Sequence, residues 1–189
     1  MKKKLSDDLI QLGTFELTGT VLRVSDPGYD RGVWCCGTIE NCRPGIWEAA
    51  VRIQDEGEWG ERNATLIARH TDKGPEFEAF RKALTGKDEA WQACPFEVGV
   101  DSGQAGIFDE AHYQDDSIFD GLPEPKHDFG DIWYNHCCDI TLSRLGAGVL
   151  RFGVVSSSGY GDGGYIAFHH VDQDGQTDSV FIVFIDEDE

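Results

Sequence analysis

The 189-residue sequence is short of positive charge, with 16 lysines and arginines against 35 aspartates and glutamates and a net charge of −19. A field of that sign repels the phosphates of nucleic acid and the headgroups of anionic lipid, so neither nucleic acid nor membrane is expected as a partner. No stretch approaches the roughly 20 apolar residues that a membrane-spanning helix requires. The opening "MKKKLSDDLI" has basic residues but no apolar segment behind them, unlike a secretory signal, so the expected address is cytoplasmic. There is no C-x-x-C, no G-x-S-x-G nucleophile elbow and no glycine loop that runs into a lysine or a helix. Those absences remove the simplest redox, serine-hydrolase and nucleotide-binding readings.

The six cysteines need their own account. Cys35–Cys36 and Cys137–Cys138 are adjacent pairs, and Cys42 and Cys94 stand alone, which is not the spaced framework of a disulfide-rich secreted domain. Reduced and mostly buried thiols are the expectation. His136 beside Cys137 and Cys138 is the sharper reading, but structural zinc asks for ligands about two to four residues apart in two knuckles.

The length suits one β-rich domain over residues 1–189, large enough to bury a core without staples. Charge is lopsided: residues 1–85 carry 12 basic and 14 acidic side chains, and residues 86–189 carry 4 and 21. The acidic half would draw cations or a basic protein surface, and residues 185–189, ending "DEDE", read as a solvated acidic tail.

Alternating apolar residues and turn signals dominate the chain. Phe15, Leu17 and Val21, with Val24 as a further candidate, are set in a period-two pattern until "SDPGY" stops it. Trp47 to Ile53 and Ala64 to Ala68 read as the two arms of a hairpin around a loop from Asp55 to Glu61. Phe77, Phe80 and Leu84 instead keep helical spacing, with Pro75 near the start and Gly86 beyond the end. "WYNHCC" suits a short helix or a half-buried strand. Near the end, "DQDG" marks a hairpin turn, and "VFIVFI" is the continuous apolar run of a strand covered on both faces. Eight to ten strands and one or two short covering helices are expected. The fold class is mainly β, an antiparallel β-sandwich or a strongly curved sheet.

Three stretches stand out together: "VSDPGY", "VDSGQAGIFD" and "SSGYGDGGY", followed by the "VFIVFI" strand. In this combination the chain resembles an uncharacterised, mostly bacterial family in which a V-D-S-G-like strand precedes a G-x-G-D-G-x-Y loop and a closing "DF"-type strand. The resemblance covers the middle and C-terminal two-thirds at motif level, and the ending "VFIVFID" departs from it. It implies no chemistry. Small acidic proteins of this kind near toxin genes would imply an immunity-type binding role.

The glycine-rich "SSSGYGDGGY" reads as a hairpin loop with Asp162 at its tip and Tyr160 and Tyr165 on either side, serving either as a structural turn or as a ligand-contacting loop. Asp101, Ser102 and Asp109 in "VDSGQAGIFD" lie among small residues that let another chain segment come close. If Asp101, Asp109 and Asp162 converge, their mutual repulsion calls for a cation, and oxygen ligands select calcium or magnesium; otherwise no cofactor is expected. Catalysis would need a Cys–His pair assembled in space, for example Cys35 or Cys36 with His169. The reading therefore leans away from an enzyme and towards a binding protein whose acidic surface receives a basic protein partner, with Tyr29, Trp34 and Tyr160 as aromatic anchors. A carboxylate-based metal-dependent hydrolase is the alternative.

Overall fold

Every residue from Thr177 to Val183, the stretch that holds most of "VFIVFI", is buried. Val180 and Ile182 face one apolar cluster, while Phe181 and Val183 face another. A strand can reach two cores only from the middle of a layered fold. The computed structural model of the protein, which describes residues 8–187, shows that arrangement.

The strands in chain order are β1 (Leu9–Leu17), β2 (Leu22–Ser25), β3 (Gly37–Ile39), β4 (Gly45–Asp55), β5 (Glu61–His70), β6 (Trp91–Val100), β7 (Gln104–Asp109), β8 (Ala147–Leu150), β9 (Gly153–Ser157), β10 (Gly163–Val171) and β11 (Thr177–Val183). The helices are α1 (Phe80–Leu84) and α2 (Ile132–Thr141). Six strands form one antiparallel sheet in the order β1-β4-β5-β11-β10-β6, and five form a second in the order β3-β2-β7-β9-β8. Leu17, Leu22, Leu66, Ile107, Val154 and Ile182 pack between them in the principal core.

Each sheet has a covering helix on its outer face. Of the three residues set at helical spacing, Phe77 and Phe80 lie on Ile67 and Phe181 of the six-stranded sheet, whereas Leu84 is left exposed. Phe77 belongs to a 3-10 turn that leads into α1. Trp133 and Cys137 of α2 pack on Phe108, Leu150 and Val155 of the five-stranded sheet. The "WYNHCC" stretch is thus helix, with Trp133 and Cys137 four residues apart on its buried face.

The fold class expected from the pattern is the one observed, with one more strand than the upper expectation. Two local readings change. "SSSGYGDGGY" is not a hairpin loop: β9 and β10 belong to different sheets, so the segment carries the chain from one layer to the other. Gly159 and Gly161, with φ of 60° and 112°, make that reversal at no Cβ penalty. The C-terminal stretch from 185 is also less free than a solvated tail. The Ile185 carbonyl accepts from Arg52 at 2.6 Å, and Glu187 pairs with Arg81 at 2.7 Å. Asp188 and Glu189 lie outside the described residues.

Candidate functional site

Alternation along β6 puts Glu97, Gly99 and Asp101 on the face opposite the buried Val98 and Val100. β10 pairs with this strand so that Gly163 lies opposite Val100 and Gly164 opposite Gly99. Asp162 and Asp101 are therefore each one residue past the same paired position. Glu97, Asp101 and Asp162 line one side of an open cleft of about 570 Å³, and Tyr29, Trp34 and Cys35 line another. None of the three carboxylates is ion-paired among the described residues.

The aromatic wall comes from the loop between β2 and β3, and that loop is tied down along its length. Asp26, 1% exposed, accepts from the amides of Gly28, Asp101 and Ser102 and from the Ser102 hydroxyl, all at 2.8–2.9 Å. The Tyr113 hydroxyl sits 2.7 Å from the Tyr29 carbonyl, to which Gln114 also donates at 3.0 Å. Arg31 reaches Glu110 and the Tyr113 carbonyl. At the far end the Gly99 amide donates to the Cys35 carbonyl at 2.8 Å. On this anchored loop Trp34 is left 82% exposed. Burial pushes the Tyr29 phenol above its usual range, and hydrogen bonds to Asp101 and Cys35 push the same way, so Tyr29 stays neutral beside the acids.

Glycine at 99 is what lets the loop close on the strand. A Cβ there would stand 2.6 Å from the Cys35 sulfur and 2.8 Å from its Cβ. Gly99→Ala is expected to cost about 1–3 kcal/mol, because Cys35 is held by its backbone and cannot turn away. Gly164→Ala meets only the flexible end of Glu97. It should cost less, a contrast that paired denaturant melts will read.

The residues singled out in the sequence separate into three groups. Asp101 and Asp162 line the cleft, and Asp162 also accepts from the Gly103 amide at 3.1 Å. Ser102, Asp109 and Tyr165 are scaffold. Ser102 serves Asp26, and the Asp109 carboxylate accepts from the Thr18 amide and hydroxyl at 2.8 and 2.6 Å and from the Ala111 amide at 3.0 Å. The Tyr165 hydroxyl lies 2.9 and 2.6 Å from the carbonyls of Ser158 and Gly161, latching the sheet-to-sheet crossing. Tyr160 faces elsewhere, with its ring under the Arg62 guanidinium and its hydroxyl bonded to Glu56.

Asp101, Asp109 and Asp162, a set that would call for calcium or magnesium if all three converged, are not brought together: Asp101 and Asp162 share the cleft and Asp109 does not. Asp109 is at the other end of β7 from Asp101, with its oxygens already engaged. Among the described residues no group of three or more His, Cys, Asp or Glu side chains is placed to hold a metal ion. The cysteines are all buried and unbridged, and none is hydrogen-bonded to a histidine among the described residues. His169 instead meets Thr177 at 3.0 Å, and His170 meets Asp178 at 2.6 Å.

Glu97 and Asp26 were not singled out from the sequence. Glu97 could have been, since "EVGVD" places Glu97 and Asp101 four residues apart on one face of a strand. Asp26 carried no such sign. Its one local partner is the Gly28 amide in the "SDPGY" turn, and the partners that tie the loop to the sheet lie 75 and 76 residues away.

No protein-family model, curated protein or solved structure matches this chain. No described helix is long and apolar enough to cross a membrane.

Proposed function

We propose that the protein is a non-enzymatic binding protein that receives a basic side chain of a protein partner in the cleft between Trp34 and the carboxylates Glu97, Asp101 and Asp162. The observation that carries this reading is the exposure of Trp34 on an anchored loop, beside three carboxylates that are ion-paired with no cation among the described residues. An indole face and nearby carboxylates are the two groups that stabilise an arginine or lysine head once water is displaced. Holding the loop in place before binding lowers the ordering cost of the complex. The acidic field outside the cleft would speed encounter and make it salt-dependent.

The test is titration with a short arginine-rich peptide followed by tryptophan fluorescence and calorimetry. Trp34→Ala should weaken binding about tenfold or more and leave the melting temperature unchanged. Trp59→Ala is the control, because Trp59 is also exposed, at 68%, but does not line the cleft. Equal affinity in the Trp34 and Trp59 variants would show that the peptide reads only overall charge, and no loss in a Glu97→Gln, Asp101→Asn, Asp162→Asn triple variant would show that it binds away from the cleft.

A further inference from the structure

A second cavity, of about 560 Å³, opens at the ends of β5 and β9 where they meet the chain leaving α2. It is lined by two arginines, Arg62 and Arg144, together with Ser143 and Ser157, and by one acid, Glu61. In a chain with more than twice as many acids as bases, an arginine without a carboxylate stands out. Six of the nine arginines, Arg23, Arg31, Arg43, Arg52, Arg69 and Arg81, are in ion pairs. Arg62, Arg144 and Arg151 are in none among the described residues, and two of those three line this one cavity. Arg62 adds a buried Nε with no hydrogen-bond partner, a costly state for a cationic donor.

The hydroxyls are free to act in the same sense. Ser157 Oγ accepts from the Asn63 amide at 3.0 Å, and Ser143 Oγ accepts from the Gly146 amide at 3.3 Å. Each hydroxyl therefore keeps its own proton to donate. Asn63 fixes the floor, with its amide nitrogen also within 3.0–3.1 Å of the carbonyls of Leu145 and Gly146 and of Ser156 Oγ. The C-terminal end of α2 points negative charge this way, but three of its last carbonyls, those of Cys137, Cys138 and Ile140, are occupied. The Leu142 amide and the Thr141 hydroxyl close on Cys138 and Cys137, and the Ser143 amide closes on Ile140.

The geometry points to a binding site for a phosphate monoester between Arg62 and Arg144. Two guanidiniums with no ion pair among the described residues match the charge of a phosphate dianion, and its three terminal oxygens can take both arginines and the serine hydroxyls, more donors than a carboxylate can use. The volume leaves room for the small organic group that carries the phosphate.

The experiment is calorimetric titration of the full chain with inorganic phosphate at constant ionic strength, with acetate and chloride as comparison anions and thermal melts in parallel. Saturable phosphate binding with a raised midpoint is expected. Arg144→Ala, at an exposed position, should weaken it at least about tenfold without lowering the phosphate-free melting temperature. Arg62→Gln should act likewise, and Arg151→Ala should bind as the parent does. Absence of saturable phosphate binding, equal effects of acetate and phosphate, or unchanged affinity in Arg144→Ala would each overturn the assignment.

Discussion

Glu110→Ala is expected to destabilise the protein by about 3–5 kcal/mol, the cost of leaving a buried charge without its partner. The Arg23 side chain is only 6% exposed and pairs with Glu110 through two contacts, Nε to Oε2 at 2.5 Å and Nη2 to Oε1 at 3.1 Å. Removing the carboxylate leaves that guanidinium with the Cys36 sulfur at 3.5 Å and the Tyr113 ring at 5.1 Å, neither of which carries a compensating charge. For a chain of this size, the loss corresponds to a fall in melting temperature of roughly 10 °C.

The effect has a pH signature. Burial pushes the Glu110 carboxyl up, but hydrogen bonds and charge attraction from Arg23 and Arg31 overcome it and hold the group below the usual glutamate range. A depressed folded-state value means that the unfolded chain binds the proton first. The stabilisation is therefore complete above the unfolded glutamate value of about 4.3 and is lost as pH falls through the lower folded value. The gap in melting temperature between the parent and Glu110→Ala should be widest near neutrality and narrow progressively as pH falls below about 4.3. Asp172, held low by the Gln176 amide and Arg43 against burial, and Asp139, held low by Lys126 and His127, remain in the variant. Acid sensitivity should thus shrink rather than vanish. A gap that stays constant down to pH 3 would mean that the ion pair is not what the substitution removes.

The sequence shows where the chain turns and which segments are apolar more clearly than it shows which strands pair. "VFIVFI" is legible because a strand buried on both faces has no polar alternation to hide it, and Phe77 and Phe80 are legible because helical spacing is specific. "SSSGYGDGGY" misleads because glycine and serine report a reversal of direction, whereas the choice between a hairpin and a crossing to the other sheet depends on the distant partners of β9 and β10. The cleft divides in the same way. Trp34 and Tyr29 are visible as aromatics in a turn-rich stretch, and Asp101 and Asp162 as acids among glycines. That Asp101 and Asp162 meet, while Asp109 is taken by Thr18, follows from the β6–β10 register and from a residue 91 positions away. Local patterns carry neither fact.

Asp26→Ala is expected to lower stability by about 3–5 kcal/mol and to open the cleft as well. The carboxylate takes three backbone amides and one hydroxyl, and those amides donate to no other group among the described residues. Each buried donor left unpaired costs about 1–3 kcal/mol, less than additively because the loop can relax and admit water. Asp26→Asn separates charge from geometry. Its amide nitrogen fits best at the oxygen that faces Gly28 and Ser102 Oγ, since the hydroxyl can rotate to accept. Only the Gly28 bond is then lost, and a cost of about 1–2 kcal/mol is expected. Hydrogen exchange gives a local reading that global melting cannot. In Asp26→Ala the amides of Asp101 and Ser102 should exchange at the rate of exposed loops while those of β11 stay protected in the folded state. Because those two amides position the Asp101 carboxylate opposite Asp162, the same variant should bind the arginine-rich peptide more weakly even where it is fully folded. Faster exchange with unchanged peptide affinity would place Asp26 in the scaffold alone. Unchanged exchange would remove it as the residue that holds the loop to the sheet.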